Sequence, residues 1–449
     1  MTQAVLPAPP HLAFGLDPLW TATLILAATY AVVATERVNR AVVALLGAVV
    51  MIALGVLNQD EAVRGVDFNT IALLLGMMVI VGIAQRSGMF EYVAIQAARA
   101  ARGSPGAMIA WLALATAFLS ALLDNVTTVL LVVPVTMALA KDLRVEPYPF
   151  LFAEVFASNL GGTATLIGDP PNILIGSATH LSFGAFVVNL APVVLVLLVA
   201  QTVAIHLIWG RRLDASEEDR RRVMAMDARA ALRDVPLLRR SLGVILAVVA
   251  AFVTAPYLRL EPGTIALAGA AVLLLLDTRG LPPVEQARKV HAALAQAQWI
   301  TLLFFVGLFV IVAGVERVGL LDLLGRGIAG ATGGDLGALA TLVLWISALV
   351  SAVIDNIPFV ATMIPVVEGL APSFGGADAI LPVWWALSLG ACLGGNGTLI
   401  GASANLTVAG YAEQQGVSFS FWRFTKLGFP LMLLTIAVAH GYLWLRYLR

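Results

Sequence analysis

The chain has 449 residues, 60% of them hydrophobic and 12% charged, with 27 basic against 27 acidic side chains and a mean hydropathy of +0.92. That composition excludes an ordinary soluble domain, and the zero net charge leaves no case for nucleic acid as a partner. One cysteine (Cys392) excludes an intramolecular disulfide, the five histidines are scattered without metal-ligand spacing, and none of the three lysines follows a glycine, so the phosphate loop of an ATP-driven pump is absent.

Residues 1–18 form a Pro-rich tail without the basic start of a cleavable leader. Apolar runs at 19–35, closed by Glu36-Arg37, and at 41–57 and 69–85 approach the roughly 20 residues a crossing needs. Residues 88–103 are amphipathic and predict a helix at the interface. Residues 107–141 are apolar at both ends with Asp124-Asn125 in the middle, which predicts a re-entrant helical hairpin with DNVTT at its tip. Residues 148–180 predict a span interrupted at GGTATLIGDPPN, where Pro and paired Gly cannot hold the helical ladder. A span over 183–209 completes this first unit (19–210). The segment 211–240 carries nine Arg and six acids and reads as a solvated cytoplasmic linker. A second unit (241–449) repeats the plan, with spans at 241–257, 263–277 and 299–316, a hairpin at 337–371, a broken span at 382–412 and a last span over 420–445.

The duplication is explicit. SALLDNVTTVLLVVP (120–134) aligns without gaps on SAVIDNIPFVATMIP (351–365), and LGGTATLIGDPPNI (160–173) aligns on LGGNGTLIGASANL (393–406). The predicted fold is thus an all-α polytopic membrane protein built from two five-span units, each with a re-entrant hairpin and a broken transmembrane helix. Basic residues at 37–40, 86–102, 141–144, 211–240 and 279–289 assign the cytoplasmic side, and an odd number of crossings inverts the second copy and leaves both termini outside.

A buried charge at membrane depth costs roughly 2.5–3.5 kcal/mol or more, and broken backbone there must face protein or a watery cavity. The residues that carry both point to a binding site where the hairpin tips and broken helices meet. Asn125, Thr127, Thr128, Thr165, Asn172, Asn356, Asn396, Thr398 and Asn405 offer amides and hydroxyls to a substrate. Asp124, Asp169 and Asp355, with Ser120, Ser351 and Asn159, are candidates to hold a coupling ion, H⁺ or Na⁺. The set is asymmetric, because Asp169-Pro170-Pro171 becomes Ala402-Ser403-Ala404 in the second copy. Glu154 also falls inside a span and is a further candidate to face the cavity, and Cys392 reads as a small packing residue.

LLDNVTTVLLVVPVT followed by SNLGGTATLIGDPPNI resembles the ArsB/NhaD permease family of the ion transporter superfamily, in particular its arsenite-permease and melanosomal P-protein-like branches. The resemblance covers nearly the whole chain. It implies a scaffold and a transport domain, two hairpins, two broken helices and a homodimer. It also implies that Ser120, Asp124, Asn125, Thr127, Asn159, Asp169, Ser351, Asp355 and Asn356 match positions used for cation handling in the sodium/proton antiporters. The dicarboxylate symporters of the superfamily carry Ser-Asn-Thr at these tips, where this chain has Asp-Asn. The expected function is an ion-coupled secondary transporter of the bacterial inner (plasma) membrane, working by alternating access and without an enzymatic activity or resident cofactor. Arsenite or antimonite efflux coupled to protons is the first expectation, Na⁺/H⁺ antiport the alternative, and an organic or inorganic anion carrier the third. Expected partners are the lipid bilayer, a small ion, oxyanion or metalloid substrate, a second copy of the chain and a soluble pump ATPase.

Overall fold

The computed structural model describes residues 12, 15–35 and 37–449. The expected tail therefore lies almost wholly outside the described residues, as does Glu36. The described chain is helical throughout, with twenty-one α-helices in order and no strand. Nine helices among the described residues are long and apolar enough to cross a membrane, as a polytopic membrane protein requires.

The first copy runs α1 (Pro18–Thr35), α2 (Arg40–Ala53), α3 (Gln59–Gly65), α4 (Phe68–Gln85), α5 (Met89–Ala100), α6 (Pro105–Leu122), α7 (Asn125–Asp142), α8 (Tyr148–Thr163), α9 (Pro170–Thr179) and α10 (Phe183–Ile205). A short α11 (Glu217–Met224) follows in the linker. The second copy repeats the first element for element: α12 (Val235–Leu258), α13 (Pro262–Thr278), α14 (Pro283–Leu294), α15 (Trp299–Arg317), α16 (Leu320–Thr332), α17 (Leu336–Ser351), α18 (Asn356–Leu370), α19 (Leu381–Gly394), α20 (Ser403–Gln414) and α21 (Phe421–Tyr447).

Two expectations are corrected. The span expected at 41–57 is a helix of only 14 residues, about 21 Å long, because Leu54–Leu57 turn out of it. The linker is shorter than 211–240: Asp234 caps α12 by accepting from Leu237 N at 2.8 Å, so the last residues of the polar run belong to a membrane helix. The linker also touches the start of α5, where Arg233 N donates to Ser87 O at 2.9 Å and the Arg233 guanidinium meets Glu91 at 3.3 Å.

Packing follows the internal repeat. Helix α4 lies on α13, and its counterpart α15 lies on α2. Likewise α6 packs on α8 and α17 on α19, while α7 meets α20 and α18 meets α9. Exchanging the copies reproduces the pattern, as expected of two like units around a pseudo-two-fold axis. Small residues permit the approach. A Cβ on Gly161 would stand 2.1 Å from Ala117 O, and one on its counterpart Gly394 would stand 2.5 Å from Ala348 O. Lipid supplies no hydrophobic drive between helices, so such close packing, with hydrogen bonds between helices, contributes to cohesion.

Candidate functional site

Each hairpin turns at a capping aspartate. Asp124 Oδ1 accepts from Thr127 N at 2.8 Å and Asp355 Oδ1 accepts from Ile357 N at 3.1 Å. Partial positive charge at a helix start favours both carboxylates. Asp169 sits at the same kind of position before α9 but makes no cap bond. The cause is local: Pro170 and Pro171 have no N–H to offer, and Asn172 N is taken by the Asp169 carbonyl at 3.0 Å. The carboxylate is thereby released, fully buried, to accept from Asn356 Nδ2 at 3.3 and 3.4 Å. Two prolines keep this carboxylate from capping its own helix.

Several expected site residues hold the broken backbone together. Thr165 Oγ1 donates to Ala121 O at 2.6 Å and Thr398 Oγ1 donates to Ala352 O at 2.5 Å, tying each helix break to its hairpin. Ser120 and Ser351 do the same toward Ser158 O and Ala391 O, at 2.7 and 2.6 Å. The amide of Asn172 donates to Thr163 O and Thr165 O, and that of Asn405 to Gly395 O and Thr398 O, all within 3.0 Å. These are the carbonyls a helix break leaves orphaned.

The remaining amides converge. Asn159 accepts from Asn125 Nδ2 at 3.1 Å and donates to Asn396 Oδ1 at 2.8 Å and Asn405 Oδ1 at 3.0 Å. One buried side chain therefore joins the first hairpin tip, the first broken helix and the second. Asn396 Nδ2 and Thr128 Oγ1 are buried without a hydrogen-bond partner among the described residues. Cys392 occupies the position of Asn159 in the second copy, and its Sγ lies 3.7 Å from Asn172 Oδ1, which already accepts from Ser388 Oγ at 2.6 Å. Glu154 is turned to Thr136 on α7 by a hydrogen bond.

At the centre is a cavity of about 20 Å³, lined by Arg40, Asp124, Asn125, Asp169, Asn356 and Ser403 among others. That is room for about one water-sized sphere. It brings together both hairpin tips and the released carboxylate from the break in the first copy. A polar chain crosses it: Thr127 Oγ1 donates to Asp124 at 2.5 Å and accepts from Gln298 Nε2 at 3.1 Å, and Thr301 Oγ1 donates to Gln298 Oε1 at 3.3 Å. Arg40 continues it, with Nη2 donating to Thr301 Oγ1 at 3.2 Å and Nη1 to Ser403 Oγ and Asp355 Oδ2 at 2.5 and 3.2 Å. Arg40, Gln298, Thr301 and Ser403 were absent from the expected site. The sequence places Arg40 among the cytoplasmic loop charges, whereas in the fold it is the first residue of α2 and its guanidinium reaches Asp355. A guanidinium at a helix start opposes the helix dipole, and the Asp355 carboxylate offsets that cost. The available signal was an arginine directly abutting an apolar run.

A sequence model of the citrate transporter (CitMHS) family matches residues 30–390. An uncharacterized transporter of Mycobacterium bovis is 44% identical over 431 residues, covering 95% of this chain and 98% of the relative. The human P protein is 36% identical over 94% of this chain, which spans 59% of that longer protein. Two solved transporters share the fold: YdaH of Alcanivorax borkumensis, with a TM-score of 0.58 at 16% identity over 95% of this chain and 97% of that one, and MtrF of Neisseria gonorrhoeae, with 0.59 at 11% over 97% and 96%. Matched over most of its length, this chain belongs to the citrate transporter family and is a multi-pass membrane transporter.

Proposed function

We propose that the chain is a secondary transporter that exchanges a small monovalent cation against protons by alternating access. The observation that carries this is the charge at the centre: Asp124 and Asp169 line a cavity with room for one desolvated ion, while the Arg40 guanidinium on the same cavity is paired to Asp355 beside it. Asp355 is paired, whereas Asp124 and Asp169 have no basic partner among the described residues. Carboxylates left without counter-ions at membrane depth call for a cation or a proton. A pH unit supplies about 1.4 kcal/mol per proton and 100 mV about 2.3 kcal/mol per charge, which only a group that changes charge in the cycle can collect. The odd number of crossings expected in each copy would invert the second against the first and bring Asp124 and Asp355 together from opposite membrane faces, and the exchange symmetry of the packing is compatible with that pseudo-two-fold arrangement.

A second reading, proton-coupled arsenite efflux, is favoured by the buried, unpartnered Thr128 hydroxyl and Asn396 amide, since neutral arsenous acid presents three hydroxyls. It requires the cavity to enlarge. The anion in the family's description would meet net negative charge here and would need cations bound first.

Purified protein in liposomes, under an imposed pH gradient, separates these readings. Addition of Na⁺ is expected to dissipate the gradient in wild type and not in Asp169→Asn. Gradient-driven movement of arsenite or citrate without any effect of Na⁺ would overturn cation exchange.

A further inference from the structure

Asp124 and Asp355 are equivalent by the repeat, 231 residues apart, and each caps the second helix of its hairpin. Their counter-charges differ. Asp355 Oδ2 meets Arg40 Nη1 at 3.2 Å and accepts from Ser403 Oγ at 2.5 Å. The same guanidinium is held by Thr301 Oγ1 at 3.2 Å and lies 5.3 Å from the centre of the Phe304 ring. Three oxygens from three separate helices thus converge on one positive group. Among the described residues, Asp124 has no such shell. Pro170 stands where Ser403 stands in the other copy, and the helix pairing that matches Ala44 with Ala266 puts Pro262 in the place of Arg40. Among the side chains of the described residues, Thr127 alone hydrogen-bonds the Asp124 carboxylate, through its hydroxyl, and its backbone amide adds the cap bond.

We propose that Arg40 is a tethered substitute for a second coupling cation. Its guanidinium fills, at the Asp355 tip, the place an alkali-metal ion would take among the oxygens of Asp355, Ser403 and Thr301. The chain therefore loads a mobile cation only at the Asp124–Asp169 side, and Arg40 sets the number of ions carried per cycle. The oxygens are hard donors of the kind that suit Na⁺. The setting is accessible enough for exchange: the Arg40 and Asp355 side chains are 26% and 15% exposed, and both line an open cavity of about 290 Å³ that shares Arg40 and Ser403 with the small central one. The proposal rests on the cation-exchange reading for its role in transport, but the site it predicts is read by binding alone.

The test is thermal unfolding of the purified full chain, with NaCl titrated against choline chloride at fixed ionic strength. Arg40→Ala is expected to gain a saturable Na⁺-dependent rise of a few degrees beyond the wild-type response. Adding Asp355→Asn to Arg40→Ala should remove the gain, and Arg40→Lys should not show it. Arg40→Ala titrating as wild type overturns the proposal, as does a gain that survives Asp355→Asn. If Arg40→Ala is recovered folded only in Na⁺, the proposal stands; failure to fold in either salt counts against it. Wild-type transport and stability indifferent to Na⁺ would sink the cation-exchange reading, while the comparison of Arg40→Ala with its double variant still decides whether the guanidinium covers an ion site.

Discussion

Asn159 is the amide on which the two copies are fastened, and replacing it with leucine tests that role. The change keeps the branching at Cγ, though leucine is the bulkier side chain, and removes three hydrogen bonds: from Asn125 Nδ2 at 3.1 Å, to Asn396 Oδ1 at 2.8 Å and to Asn405 Oδ1 at 3.0 Å. Asn396 would then have neither amide atom bonded, because its Nδ2 already lacks a protein partner. Hydrogen bonds between membrane helices average about 0.6 kcal/mol by double-mutant cycles, so simple loss of three costs about 2 kcal/mol. Buried groups left orphaned cost about 1–3 kcal/mol each, so the ceiling is several times higher. Asn405 keeps its two donor bonds to Gly395 O and Thr398 O, which holds its amide in place and limits relaxation. The expected loss for Asn159→Leu is therefore about 3 kcal/mol, between these limits. Reversible unfolding in mixed micelles would measure it, with Asn159→Leu compared against Cys392→Leu at the equivalent position of the other copy, which forfeits only one long contact. A loss below about 1 kcal/mol for Asn159→Leu, or equal losses at the two positions, would refute the argument that this amide joins the copies.

Three further outcomes follow from the same geometry. Cys392→Ala should keep most transport and lose about 1 kcal/mol or less, because its 3.7 Å contact duplicates the stronger Ser388 bond to Asn172; abolished flux at normal expression would point to a thiolate ligand instead. Gly161→Ala should destabilise by about 3 kcal/mol or more, since the new Cβ would stand 2.1 Å from Ala117 O in a backbone that cannot yield, and a normally expressed, thermally unchanged protein would contradict the helix contact. Asp124→Asn should fold normally, because asparagine caps as well as aspartate, yet lose gradient-driven exchange; retention of full pH-driven flux by both Asp124→Asn and Asp169→Asn would make these carboxylates structural.

Much of the architecture was legible in the chain because it is local or repeated. Apolar runs of nearly bilayer length specify helices without tertiary help, and Pro and paired Gly specify where a ladder must stop. The hairpin tips at Asp124 and Asp355 and the breaks before Asp169 and Ala402 fall where the two aligned copies put them. The repeat also marked Asp169 as the odd carboxylate, and its flanking prolines explain why it is free. What the sequence could not reveal is how polar atoms are divided between scaffold and site. Thr165, Thr398, Ser120 and Ser351 look like ligands in a string of letters, but each spends its proton on a carbonyl about 40 residues away that only the folded chain brings near.

Arg40 is the sharpest case. In the sequence it is one of two arginines in a short connection, indistinguishable from a loop charge. Its partner Asp355, the cap of α18, lies 315 positions further on, and the packing that brings them together runs from α2 in one copy to α15 in the other and on to α18. Hydropathy and spacing report the environment of a residue along its own helix. The sign and number of charges around the central cavity depend on which helix ends the packing of two copies brings together, and that information is held in no single stretch of the chain.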